Sequence, residues 1–294
     1  MRTDGRESEN VEDRRGDGPV GGGSGGGLPV GRLGIGTVVV AVVASYFLGI
    51  DPRVVLGLLS GVQSGPPTVQ HAPQGPAPKP TDQTGRFVSV VLGDTEDTWT
   101  ALFRERGRTY QPPRLLLYSR SFPTACGQGS AASGPFYCPL DQKVYLDTSF
   151  FDLLQQRFHA PGNFAEAYVI AHEVGHHVQN QIGVMAQTEK LRERLSPQQY
   201  NEVSVRVELQ ADCFAGIWGY HAQQSRNVLQ EGDLESALRA ATAIGDDTLQ
   251  RQAQGHVVPE TFTHGTSDQR VRWFRRGFES GRMEDCNTFG SKAL

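Results

Sequence analysis

The chain contains no C-x-x-C pair, no long run of basic residues and no visible internal repeat. The first absence excludes a zinc knuckle and a thioredoxin-like redox motif. The second, with a net charge of −4, argues against nucleic acid as a partner. Cysteine is scarce, and Cys126, Cys138, Cys213 and Cys286 are the complete set. In an exported chain an even number allows three disulfide pairings. Cys126 with Cys138, bracketing a Gly/Ser/Ala loop, plus Cys213 with Cys286, is the most economical of them.

The first 85 residues or so lack the pattern of a globular fold, which leaves about 210 residues, ample to bury a core. Residues 1–32 are polar, mixed in charge and then Gly-rich, so a disordered tail is expected. Charge is absent from residues 33–50, LGIGTVVVAVVASYFLGI. At 1.5 Å per residue that run is about the minimum for crossing a bilayer core, and Tyr46 and Phe47 suit an interface. A signal peptide normally opens with a short basic region, and a core helix shows a polar face; this run has neither. The expectation is one transmembrane anchor and a single-pass membrane protein. A weak excess of basic residues before the run (Arg14, Arg15, Arg32) favours a cytoplasmic N-terminus, and the cysteines favour an extracytoplasmic C-terminal domain. Residues 51–85 read as a linker, stiffened by the prolines between Gly65 and Pro80.

Residues 86–294 carry the globular pattern. Val88, Val91, Leu92, Trp99, Leu102 and Phe103 recur at mostly helical spacing, so an amphipathic helix is expected over 87–106, closed by Gly107. Leu115–Tyr118 and Lys143–Asp147 are β-prone runs, and 121–139 reads as a loop. The balance is helical. The fold class is therefore α+β, mostly helical with a small sheet.

Within this domain His172-Glu173-Val174-Gly175-His176 places two histidines four apart, on one helix face, where both can ligate a single metal ion. Glu173 lands beside the vacant coordination position, as zinc-dependent peptide hydrolysis needs. Asn163 with Glu166 forms a candidate capping box for this helix, after Pro161-Gly162. Ser196-Pro197 with Gln199 opens another helix, on which Glu208 and Asp212 are again four apart. Glu208, in preference to Glu202 or an upstream acid, is the expected third ligand, leaving a fourth position open. Asp212 is expected to accept a hydrogen bond from a ligand histidine. His177 lies about 100° round from His176, and Cys213 about 140° from Glu208, so neither shares the metal readily. Tyr145 and Asp147 sit on the strand expected to border the cleft, as structural residues, and Trp218, Trp273 and Phe274 read as core.

His172-Glu173-x-x-His176 with Glu208-x-x-x-Asp212 resembles the gluzincin metallopeptidases. AHEVGHHVQNQIG, ELQADCFAGIW and FTHGTSDQRVRWF are similar more specifically to the bacterial neutral zinc metallopeptidases, from about Arg86 to the C-terminus. The resemblance implies a zincin-like fold, one zinc ion and hydrolysis of a peptide or protein substrate, with little about which substrate. His264-Gly265-Thr266-Ser267-Asp268-Gln269-Arg270 is similar to a His-Pro motif followed by Arg in membrane-embedded gluzincins related to CAAX prenyl proteases, with Gly265 in place of the proline. It implies His264 and Arg270 as donors to a developing oxyanion. The alternative from another class is a non-catalytic, membrane-tethered zinc protein that binds envelope partners.

Overall fold

A computed structural model describes residues 1–17, 77–130, 134–292 and 294. Among them a four-stranded sheet has the order β1 (Val11–Asp13), β2 (Arg114–Tyr118), β6 (Lys143–Asp147), β5 (Phe136–Cys138). β1, β2 and β6 run parallel, and β5 is antiparallel to β6. Alternation along the strands gives the sheet two buried faces. Leu115, Leu117, Val144 and Leu146 enter the main core with the helices, whereas Leu116, Tyr118 and Tyr145 join a smaller cluster with Phe122 and Cys138. The helices are α1 (Gln83–Glu105), α2 (Ser149–Gln156), α3 (Asn163–Gln181), α4 (Val184–Arg192), α5 (Pro197–Arg226), α6 (Asp233–Ala243), α7 (Asp246–Gln254) and α8 (Ser267–Ser280). The domain is thus α+β and mostly helical, as expected.

Local chemistry explains several boundaries. Ser196 with Gln199 and Thr266 with Gln269 form complete capping boxes at α5 and α8. The expected Asn163–Glu166 box does not form: Gly162 precedes the helix, with no side-chain cap, and Asn163 is already helical. The expected loop over 121–139 contains β5 and a hairpin of β3 (Ser121–Thr124) and β4 (Gly127–Ser130). β4 reads GQGS, with no apolar alternation to announce a strand. The cysteines pair as Cys126–Cys138 and Cys213–Cys286, with Cα atoms 5.8 and 5.6 Å apart.

The N-terminus overturns an expectation. Residues 1–17 form a strap on the domain rather than a disordered tail. The backbone N–H of Arg2 donates to Val228 at 2.8 Å and that of Ser8 to Ser89 at 2.9 Å. Val11, Glu12 and Asp13 then pair in parallel with Leu115, Leu116 and Leu117. Three polar side chains of the strap converge on the buried Glu96: Ser8 Oγ at 2.5 Å, Asn10 Nδ2 at 2.8 Å and Arg6 at 2.9 Å. A tail too polar to fold alone is ordered here by docking on an existing sheet edge.

That docking also corrects the expected membrane placement. No helix among the described residues is long and apolar enough to cross a membrane, and the run at 33–50 lies outside them. β1 precedes that run and β2 follows it, yet both belong to one sheet. A single crossing between them would put them on opposite sides of the bilayer, so the single-pass assignment is withdrawn.

Candidate metal centre

α3 and α5 meet where the sequence put its two four-residue spacings. A Cβ on Gly175 would lie 2.9 Å from the Ala211 carbonyl oxygen and 3.1 Å from Ala211 Cα. Only hydrogen at position 175 lets the backbones approach this closely, one residue before His176 on one helix and Asp212 on the other. The consequence is a compact donor set. His172 Nε2 is 3.1 Å from Glu208 Oε2, and His176 Nε2 is 3.4 Å from Glu208 Oε1. One donor atom from each of the three residues lies within 4.8 Å of the others.

The donors suit zinc by the hydrogen bonds on their far sides. His172 Nδ1 is 2.8 Å from Asp212 Oδ1, and His176 Nδ1 is 2.9 Å from Gln179 Oε1. Both imidazoles therefore have Nδ1 engaged and Nε2 facing Glu208, the orientation a metal-ligating histidine needs. Two imidazoles and a carboxylate are a zinc donor set, with three protein ligands and room for a fourth. Glu208 is held well below the usual carboxylate range: burial alone would raise it, but the charges and hydrogen bonds of His176 and His172 dominate. Glu173 is buried in the same cleft with no hydrogen bond from any described residue, and burial pushes its carboxyl up against the pull of both histidines.

Asp212 is fully buried and takes more than the expected histidine. Tyr168 donates its hydroxyl to Oδ1 at 2.6 Å, and Arg270 binds both carboxylate oxygens at 2.9 Å. This corrects the role implied for Arg270. Its guanidinium is buried on the Nδ1 side of His172, where it neutralises Asp212 and donates to the Ile244 carbonyl at 3.3 Å. The capped start of α8 fixes it there, since Thr266 and Gln269 set where the helix begins.

His264 is placed differently. Its loop lies across α5 at the turn that carries Glu208, where a Cβ on Gly265 would meet Val205 and Leu209 at 3.2 and 3.3 Å. Asp246, at the first turn of α7, organises the loop. Its Oδ2 accepts the backbone N–H groups of Thr263, His264 and Gly265 at 2.7, 2.6 and 3.0 Å, and its Oδ1 is 3.2 Å from His264 Nδ1. The His264 side chain is half exposed; partial desolvation pulls its imidazolium down, but Asp246 and Glu208 together hold it above its usual value. Sequence reasoning missed Asp246, because nothing near Gly245-Asp246-Asp247 marks it.

The remaining sequence candidates take structural positions. His177 faces away from the donors, with Nε2 donating to the Gln111 carbonyl at 2.7 Å and Nδ1 3.0 Å from the Tyr137 hydroxyl. Cys213 is consumed by its disulfide. β6 lies between β2 and β5, so Tyr145 is not at an edge; the edge belongs to β5. Asp147 accepts the backbone N–H groups of Arg120 and Ser149. Trp218, Trp273 and Phe274 are core.

Comparison with known proteins agrees with this geometry. Residues 1–289 match the family described as "Putative neutral zinc metallopeptidase", so the match extends through the N-terminal strap and does not start near Arg86. The chain is similar to "Uncharacterized protein YpfJ" of Escherichia coli K12, at 50% identity over 287 residues, 97% of each chain. It is also similar to "Uncharacterized protein Rv2575" of Mycobacterium tuberculosis H37Rv, at 41% identity over 219 residues, 71% of this chain and 73% of the relative. No solved structure matches it. On its sequence, and with a three-donor cluster on two helices to match, the chain belongs to the neutral zinc metallopeptidase family.

Proposed function

We propose that the protein is a zinc-dependent peptidase that hydrolyses peptide bonds with Glu173 as general base. The observation that carries the reading is the convergence of His172, His176 and Glu208 within 4.8 Å beside the buried Glu173, which has no hydrogen-bond partner among the described residues. When bound there, zinc supplies a Lewis acid that acidifies water and polarises a carbonyl. The chain's own residues supply the rest. Glu173, its carboxyl raised by burial, takes a proton from the attacking water and passes it to the leaving amine. His264, fixed through Nδ1 by Asp246, offers Nε2–H toward the developing oxyanion. Asp212, held by Arg270 and Tyr168, keeps His172 in its ligating tautomer. A site serving only to bind partners would gain nothing from a buried carboxylate beside three ligands, and would usually be closed by a fourth.

The test separates binding from chemistry. Glu173→Gln is expected to retain zinc, measured by metal analysis, while peptide hydrolysis falls by at least about 100-fold. Hydrolysis near the wild-type rate in that variant would refute the general-base role. Loss of its zinc would instead make Glu173 a ligand.

A further inference from the structure

The partner of His176 is a neutral amide, whereas His172 has a carboxylate, and the amide belongs to a chain of hydrogen bonds whose direction can be worked out. Gln179 is fully buried and Gln210 nearly so. Gln179 Nε2 is 2.8 Å from the Val207 carbonyl and 3.0 Å from Gln210 Oε1. A carbonyl only accepts, so the amide nitrogen must face Val207, and Gln179 Oε1 must face His176. Gln210 is fixed the same way: its Nε2 donates to the Cys286 carbonyl at 2.9 Å, which leaves its Oε1 for Gln179. With both amides pinned by backbone carbonyls, His176 Nδ1 meets an acceptor and must carry the hydrogen. Its Nε2 is then the lone pair that faces Glu208.

We propose that Gln179 and Gln210 form a buried amide relay that positions His176 as a metal ligand, by imposing from the Val207 and Cys286 carbonyls the tautomer with Nε2 free. The inference rests on reading His172, His176 and Glu208 as the zinc site. It makes the turn at Met283–Cys286, anchored to α5 by the Cys213–Cys286 disulfide, the far end of that site. It also divides the two histidines by chemistry. His172 is set by a charged cluster that holds its geometry through Coulomb attraction, and His176 by uncharged dipoles that depend on every bond being made. A half-satisfied buried amide chain has no alternative partner in that core.

The test measures zinc affinity by chelator competition and the thermal stability of the metal-free protein, for wild type, Gln179→Met and Gln210→Met. Methionine keeps much of the volume and removes both hydrogen-bonding groups. Gln179→Met is expected to bind zinc about 10–100-fold more weakly, as for loss of other groups that orient ligands. Gln210→Met, which never touches His176, is expected to show a smaller loss in the same direction. The absorption bands of the cobalt-substituted protein should shift in both, because the ligand field reports ring orientation. A merely structural pair would lower metal-free stability and leave affinity and spectrum unchanged, and that result overturns the relay. Should Gln179→Met not fold, Gln210→Met decides it: affinity within twofold of wild type overturns the relay. Wild-type protein that binds no zinc overturns the metal-site reading itself.

Discussion

At the scale of single residues, the site separates the three candidate donors from the groups that orient them, and one half-buried carboxyl on α3 belongs to neither set. Glu166 lies two turns before Glu173 on α3, and burial, then the nearby Asp152, push it up to about 7. A carboxyl whose folded pKa exceeds its unfolded one binds a proton in the folded state alone between the two values. Stability therefore declines as pH rises from about 4.5 through 7. Glu166→Gln removes the titrating group, so it should stabilise the protein at pH 8 by about 1–2 kcal/mol, discounted for the solvent reaching one side of the carboxyl. At pH 4.5 the melting temperature should barely change. Equal shifts at the two pH values would show that Glu166 acts by packing and not by charge. The residues that sequence made legible are those whose relation is set by one helix: His172 with His176, and Glu208 with Asp212, each at four-residue spacing. Gln179, three residues after His176, obeys the same local rule and could have been found by it. Arg270 could not, because only the approach of α8 to α5 decides that its guanidinium meets Asp212.

At the scale of elements, close helix contacts set the register of the site. A Cβ on Gly277 would lie 1.9 Å from the Cys213 carbonyl oxygen, and one on Gly216 would lie 2.1 Å from that of Phe274. α5 and α8 thus touch backbone to backbone, and this contact delivers Arg270 to Asp212. Gly277→Ala must push the helices apart, at a cost of about 3 kcal/mol, the upper end for overpacking. Gly175→Ala meets a less severe contact, 2.9 Å from Ala211, but between the two helices that carry the ligands. The expectation is a crossed outcome: Gly277→Ala loses more melting temperature, and Gly175→Ala loses more zinc affinity relative to its stability loss. If both variants change the two quantities in the same proportion, α3 and α5 are not the pair that gauges the metal site. Sequence showed these helices well where capping residues and apolar periodicity coincided, as at Ser196-Pro197. It missed β4 because glycine and serine carry no alternation, and it missed β1, β3 and β5 because three or four residues are too few to signal a strand.

For the whole molecule, the strap and the residues that lead into α1 are tied to each other within one fold. The Asp13 N–H donates to the Pro78 carbonyl at 3.0 Å, Lys79 pairs with Glu9, and Arg15 pairs with Asp82. Starting the protein at Ala77 would remove β1 and the partners of Glu96 together. Glu96 is only 6% exposed, and stripping a buried carboxylate of its partners costs about 3–5 kcal/mol. The same cut exposes the β2 edge, with Leu115 and Leu117 behind it, as a template for aggregation. A chain of residues 77–294 should therefore melt about 10–20 °C lower than the full protein and associate on standing. Joining Asp17 to Ala77 through a short Gly/Ser linker should restore the melting temperature, because Asp13 and Arg15 already touch Pro78 and Asp82. If the strapless chain melts at the full-length temperature, the strap is an ornament and the sheet is complete at β2. If the linked chain fails to recover, residues 18–76 contribute to the domain's stability in their own right. Recovery would make the strap, which composition alone marks as too polar to fold, an obligatory part of the peptidase domain.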